Sequence, residues 1–169
     1  MSHLKLAVFL LLAASLIACS GRPPAQIRYS GYYDFTQISS YATFERNSHF
    51  ADYQNISDST RNSIELAIEQ ALDALGFSYQ SSGRADVLVS YHLIRHMAEL
   101  RKYNQGVKFC RPCLSEHNAK HEKLKLRMLP GSLVLDVINR ENQRSIWRSV
   151  YPLKIDADDN SAEINAKLR

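Results

Sequence analysis

The stretch from Asp86 to Ile94 constrains the fold of this chain more than any other. Successive side chains of a β-strand point to opposite faces of a sheet. Here Val87, Val89, Tyr91 and Leu93 fall on one face, and Leu88, Ser90, His92 and Ile94 on the other. Apolar side chains on both faces need cover on both sides, so the segment belongs in the middle of a sheet.

A central strand needs neighbours, and the chain offers several. Tyr41 to Glu45 is aromatic and β-branched enough for a first strand. Phe77 to Gln80 is a short strand candidate, followed by a turn at Ser81-Ser82-Gly83. Leu124 to Met128 alternates cleanly before Pro130-Gly131 breaks or bends the chain. Leu133, Leu135 and Val137 then alternate with Val134, Asp136 and Ile138. Asn139 to Asn142 carries turn chemistry, and Ser145 to Lys154 returns as the second arm of a hairpin.

Two helices complete the pattern. The spacing predicts the longer one over Asp58 to Leu75, capped by Ser57 or Asp58 and ended at Gly76. Ile64, Ala67, Ile68, Ala71, Leu72 and Leu75 form its apolar stripe, with Asn62, Glu65, Glu69 and Asp73 facing water. A short last helix carries Ile164 and Leu168 behind a cap in Asp158 to Ser161. The order fits an α+β two-layer sandwich, a mixed β-sheet with helices on one face. Between Arg95 and Glu122 the periodicity dissolves into a basic, His- and Cys-bearing insertion of a length that usually carries function or lacks order.

The first residues belong to a different problem. Met1 to Lys5 is a short basic start, and Leu6 to Ala18 is almost wholly apolar. That run is well short of the roughly twenty residues a spanning helix needs. Leu16-Ile17-Ala18-Cys19 closes it and resembles the lipobox of bacterial lipoproteins. The resemblance implies a signal peptide over 1–18, cleavage before Cys19, and acyl chains on Cys19 that anchor the protein to a membrane. Ser20, not Asp, follows the cysteine, which resembles sorting to the outer membrane. Residues 19–30 read as a lipidated cysteine and tether, because Gly21-Arg22-Pro23-Pro24 cannot continue a helix. Residues 31–169 are then a single domain, long enough to bury a core. The net charge of +4 is spread among interleaved acids, so no nucleic-acid footprint is expected.

Three segments carry a further resemblance: Asp34-Phe35 with Tyr41-Ala42-Thr43-Phe44, Ala85 to Tyr91, and Gly131 to Val137 running on to Ile146-Trp147-Arg148. With the lipobox they resemble the bacterial lipoprotein family called domain of unknown function 4136, over roughly Asp34 to Leu153. These motifs are structural, so the resemblance implies an envelope lipoprotein with no assigned reaction. The insertion at about 95–122 departs from the family, and the last helix is shorter than usual.

Few residues suggest chemistry. Cys110-Arg111-Pro112-Cys113 has three readings. The first is a disulfide, favoured by an oxidising periplasm. The second is a redox dithiol, but Leu114 to Lys123 lacks the amphipathic helix that a thioredoxin places there. The third is a zinc site of Cys110, Cys113, His117 and His121, the two His one helical turn apart, with the cysteines closer to the first His than in zinc fingers. His92 and His96 would lie about 13 Å apart on a strand, too far to share a metal; a satisfied sheet histidine is expected at position 92. Asp136 interrupts an apolar strand and is expected at an edge or paired with an arginine. Trp147 is expected to pack against the sheet. No nucleophile elbow or phosphate loop is present.

The resulting expectation is a non-enzymatic, cofactor-free envelope lipoprotein. It would be held at the outer membrane facing the periplasm through Cys19 and contact an unidentified envelope component. The alternative is a periplasmic metal-binding or thiol-redox domain centred on Cys110 and Cys113 with His117 and His121. Titration of unreduced, denatured protein separates the two. The disulfide reading expects no free thiol from Cys110 and Cys113. Two titratable thiols with stoichiometric zinc would establish the alternative.

Overall fold

The computed structural model describes residues 25–44, 56–109, 129–156 and 158–168. In chain order the elements are β1 (Gln26–Tyr29), a 3-10 turn (Phe35–Gln37), β2 (Ser40–Thr43), α1 (Asp58–Ala74), β3 (Ser78–Tyr79) and β4 (Val87–Ile94). They continue with α2 (Met97–Gly106), β5 (Lys108–Phe109), β6 (Ser132–Asn139), β7 (Arg144–Pro152) and α3 (Ser161–Leu168). The expected central strand is β4: every residue of it is buried. It lies between β2, to which it is parallel, and β6, to which it is antiparallel.

The sheet is mixed, in the order β1-β7-β6-β4-β2-β3, and is not closed into a barrel. β6 and β7 form the expected hairpin, with a bulge between Val137 and Ile138. Its turn is held by Asn139, whose side-chain oxygen accepts from the Glu141 and Asn142 amides. The far edge of β7 is shared. β1 pairs antiparallel with Trp147 to Val150, and β5 pairs parallel with Arg144 and Ser145. Gln26 to Tyr29 therefore belongs to the sheet, although its composition reads as part of a tether.

The two faces have different covers. On the first, Ile64 and Ile68 of α1 pack over Tyr41, Val87, Val89 and Tyr91. Ile164 of α3 joins Leu93, Leu153 and Ile155. These are the two expected helices, and they share the expected face. On the second face, Leu100, Tyr103 and Val107, from α2 and the residue after it, pack over Leu88, Ile94, Val134, Ile138 and Val150. So α2 adds a helix on the opposite side, inside the stretch where no periodicity is visible. Its stripe is only these three side chains wide. The Glu99 carboxylate fixes its start by accepting from the Arg95 amide at 2.6 Å.

Local chemistry sets the boundaries. The Ser57 hydroxyl caps α1 by accepting from the Thr60 amide, and Gly76 takes a φ of +85° just past its end. The apolar stripe of α1 is narrower than its spacing suggests, since Ala71 and Leu75 are exposed. Glu65, expected in water, is half-buried and accepts from the Tyr91 hydroxyl at 2.7 Å. A reciprocal box starts α3: Asn160 accepts from the Ala162 and Glu163 amides, and Glu163 accepts from the Asn160 amide. The expected strand at Leu124 to Met128 lies outside the described residues. No helix among the described residues is long and apolar enough to cross a membrane.

Gly131 is a second fixed point. Its φ is +77°, and a Cβ there would stand 2.8 Å from the Ile155 amide nitrogen. Backbone cannot yield as a side chain can, so Gly131→Ala should destabilise markedly. Ile64→Ala, at a fully buried position, should cost about 2–5 kcal/mol. Glu69→Ala should stay within about 0.5 kcal/mol. Denaturant midpoints of the three variants check this order, and equal shifts would show that the packed side of α1 is misassigned.

Candidate functional site

Alternation places Asp136 on the α2 face of β6, between Val134 and Ile138. The register sets Ser90 of β4 and Arg148 of β7 directly beside it. An ionised carboxylate there needs partners, because an isolated buried charge is prohibitive. It has several. Arg148 Nε lies 2.8 Å from Asp136 Oδ1, and the Ser145 hydroxyl donates to the same oxygen. The Tyr103 hydroxyl of α2 donates to Asp136 Oδ2 at 2.7 Å and lies 3.1 Å from Ser90 Oγ. The rest of the guanidinium donates to Asn104 Oδ1 and to the Val107 carbonyl. Asp136 is fully buried, Tyr103 is 1% exposed and Arg148 6%. Burial first, and the Asp136 charge second, hold the Tyr103 phenol well above its ordinary pKa, so it remains a donor.

His92 adjoins this cluster. Its ring stacks on Tyr103, with centroids 5.0 Å apart and an interplanar angle of 17°. It is 1% exposed, and neither ring nitrogen finds a hydrogen-bond partner among the described residues. The expectation of a satisfied sheet histidine is corrected here: the ring is packed as an apolar plate. Burial pushes its pKa down to about 4, against which the Glu99 charge acts weakly. The imidazole is therefore neutral at pH 7.

A groove of about 630 Å³ opens at the end of the sheet where β4 begins and β6 ends, lined by Tyr33, Asp34, Gln37, Asp86, Asn139 and Arg140 among others. Its polar groups mostly hold loops together. Asp86 Oδ2 accepts from the amides and hydroxyls of both Ser39 and Ser40, at 2.8 to 3.0 Å. These bonds, the Ser39 amide foremost, hold its carboxyl down at about 2. Arg140 donates to the carbonyls of Ala85 and Gly83, and Asp34 caps the 3-10 turn.

Chemically, the buried cluster is a charge-neutral clamp. Its carboxylate is saturated by donors, the Ser145 hydroxyl among them, and Ser90 Oγ accepts from Tyr103. It ties α2 to three strands. Asp136 is paired with an arginine, as expected, but lies centrally rather than at an edge. Trp147 is half-buried on the sheet. Cys19, Cys110, Cys113, His117 and His121 lie outside the described residues. Among the described residues no group of three or more His, Cys, Asp or Glu is placed to hold a metal. Tyr103 and Arg148, which complete the clamp, were not singled out by the sequence pattern.

The family model described as "Domain of unknown function (DUF4136)" matches residues 25–169. The chain belongs to the DUF4136 family. A DUF4136 family protein from Bacteroides thetaiotaomicron shares the fold, with a TM-score of 0.50 at 12% identity, covering 88% of this chain and 93% of that one. A PDZ domain protein from Parabacteroides distasonis aligns with a TM-score of 0.46 at 11% identity, over 91% of this chain and 37% of its own. No curated protein matches the chain.

In this DUF4136 domain His92 should write a signature on acid stability. Its folded pKa, about 4, lies below the ordinary 6.5 of an unfolded chain. The neutral form is favoured by folding, so this contribution is complete above about pH 6.5 and is lost as pH falls towards 4. Roughly 3 kcal/mol is at stake on the usual conversion. The lowered carboxyls of Asp34, Asp86 and Asp159 act below that window. The denaturant midpoint should therefore fall between pH 7 and pH 4.5, and fall less in His92→Phe. Parallel pH profiles for the two proteins would contradict the assignment.

Proposed function

We propose that this DUF4136 domain is the folded part of an envelope lipoprotein, anchored through lipid on Cys19, facing the periplasm from the outer membrane, and acting as a non-enzymatic interaction module. The observation that carries the reading is positional. Leu16-Ile17-Ala18-Cys19 ends an apolar run, and only Ser20 to Ala25 separate the cysteine from β1. The family match begins at residue 25, so the folded domain follows the cysteine closely. The clamp supports the non-enzymatic part: its ionisable groups are spent on one another and on holding α2. The groove supports it too, since Asp86 and Arg140 are engaged with the chain itself. An interaction module needs surface rather than a reactive cavity, and its partner is an envelope component.

Replacing the acylated thiol tests the anchor. In a Gram-negative host the wild-type chain should fractionate with membranes, and its mature N-terminal cysteine should carry the mass of its acyl chains. Cys19→Ser should lose that mass and either keep its leader or turn up in the soluble fraction. The same mass and the same detergent partitioning for both proteins would overturn the proposal.

A further inference from the structure

We infer that the β1–β7 side of the sheet, on its α1 face, seats the domain against the membrane that holds Cys19; this rests on the lipoprotein reading above. The register assigns the side chains. Ile27 pairs with Ser149 and Tyr29 with Trp147. Trp147, Ser149 and Tyr151 pair in turn with Val137, Leu135 and Leu133, which pair with Val89, Tyr91 and Leu93. Residues paired in register share a face, so all of these lie on the side covered by α1 and α3. That cover is uneven. It buries the β2–β4 half, whereas Leu135, Trp147 and Tyr151 are only half-buried, and Ile27 and Tyr29 are 50% and 37% exposed. In the turn after β1, Tyr32 is 85% exposed.

The chemistry of this surface suits a lipid headgroup layer. On this face β1 and β7 expose or half-expose Ile27, Tyr29, Trp147 and Tyr151, around the buried Ser149; the one charge they add there is Arg144, at the hairpin end of β7, whose sign suits anionic headgroups. Arg28 and Arg148, paired with each other in register, lie on the opposite face. Tyrosine and tryptophan, with apolar rings and polar tips, favour the membrane–water boundary. A grouped apolar surface on a small domain calls for an occupant.

Chain length selects which occupant. Six residues, Ser20 to Ala25, separate Cys19 from Gln26. Even fully extended they span no more than about 25 Å. The lipidated end thus enters the sheet at β1, one residue before Ile27. The membrane is the one surface that the anchor itself brings to this patch. The acyl chains hold the domain there; the aromatic strip fixes which side faces down.

The protein carries a single tryptophan, and it lies in this strip. Full-length acylated protein, reconstituted into phosphatidylethanolamine–phosphatidylglycerol vesicles with brominated acyl chains, should float with the vesicles and lose most of its Trp147 emission. Ile27→Glu with Tyr29→Glu should still float but keep that emission, with an unchanged denaturant midpoint as the control for folding. Wild-type protein that floats with unquenched Trp147 overturns the seating and leaves the anchor intact. Shielding of Trp147 from aqueous acrylamide without quenching by lipid overturns it in favour of a protein occupant. Protein that does not float overturns the anchor reading and the seating together.

Discussion

Asp136 is the residue around which the rest of the structure is arranged. A carboxylate at the centre of a sheet face, away from water, is stable only with its partners in place. Those partners come from three elements: Arg148 and Ser145 from β7, Tyr103 from α2, and Ser90 of β4 behind Tyr103. Removing one partner would strand a buried charge at a cost of about 3–5 kcal/mol, whereas an apolar replacement of the whole set need cost nothing. The clamp is therefore a weak source of net stability and a strict selector of arrangement. Sliding β7 by one residue would carry Arg148 to the opposite face. The bulge at Val137/Ile138 lets Ser145 and Arg148 both reach one carboxylate.

The same clamp accounts for α2. With Leu100, Tyr103 and Val107 as its buried contacts, the helix has less apolar purchase than α1. Tyr103 makes up the difference by combining ring and hydroxyl. The ring stacks on His92 and lies 5.6 Å from the Arg148 guanidinium carbon, while the hydroxyl reaches Asp136. A neutral imidazole with no hydrogen-bond partner among the described residues sits beneath it, using its flat surface. Burial of that plate disfavours its protonation and makes the α2 face the acid-sensitive one.

What the sequence made legible follows from how local each signal is. β4, α1 and the β6–β7 hairpin declare themselves through period-two or period-3.6 patterns contained within one segment. α3 shows through its capping residues. β1 and α2 do not, for opposite reasons. β1 is four residues next to a proline pair, and only its pairing with β7 makes it a strand. α2 carries one tyrosine where an apolar stripe would have been visible. Asp136 drew attention because it breaks an alternation. Its partner Arg148 sits among ordinary strand residues, and finding it requires the hairpin register, bulge included. Tyr103 requires knowing that α2 exists. The solvated reading of Glu65 failed because a helix wheel does not show that Tyr91 points its hydroxyl there.

β7 belongs to both faces of the sheet. Beyond the bulge, its even-numbered residues Arg148 and Val150 face α2 and close the sealed side; its odd ones, Trp147, Ser149 and Tyr151, face the side that the helices only partly cover. Its outer edge is shared by β1 and β5, and at the other end of the sheet β3 is two residues long. Short edges of this kind restrict strand addition by another chain. Contacts of the domain are thereby directed to faces and loops. The sealed side is committed to the clamp. The partly covered side starts one residue beyond Gln26, where the chain from Cys19 arrives. One strand thus carries a buried ion pair on one face and half-buried aromatic rings on the other.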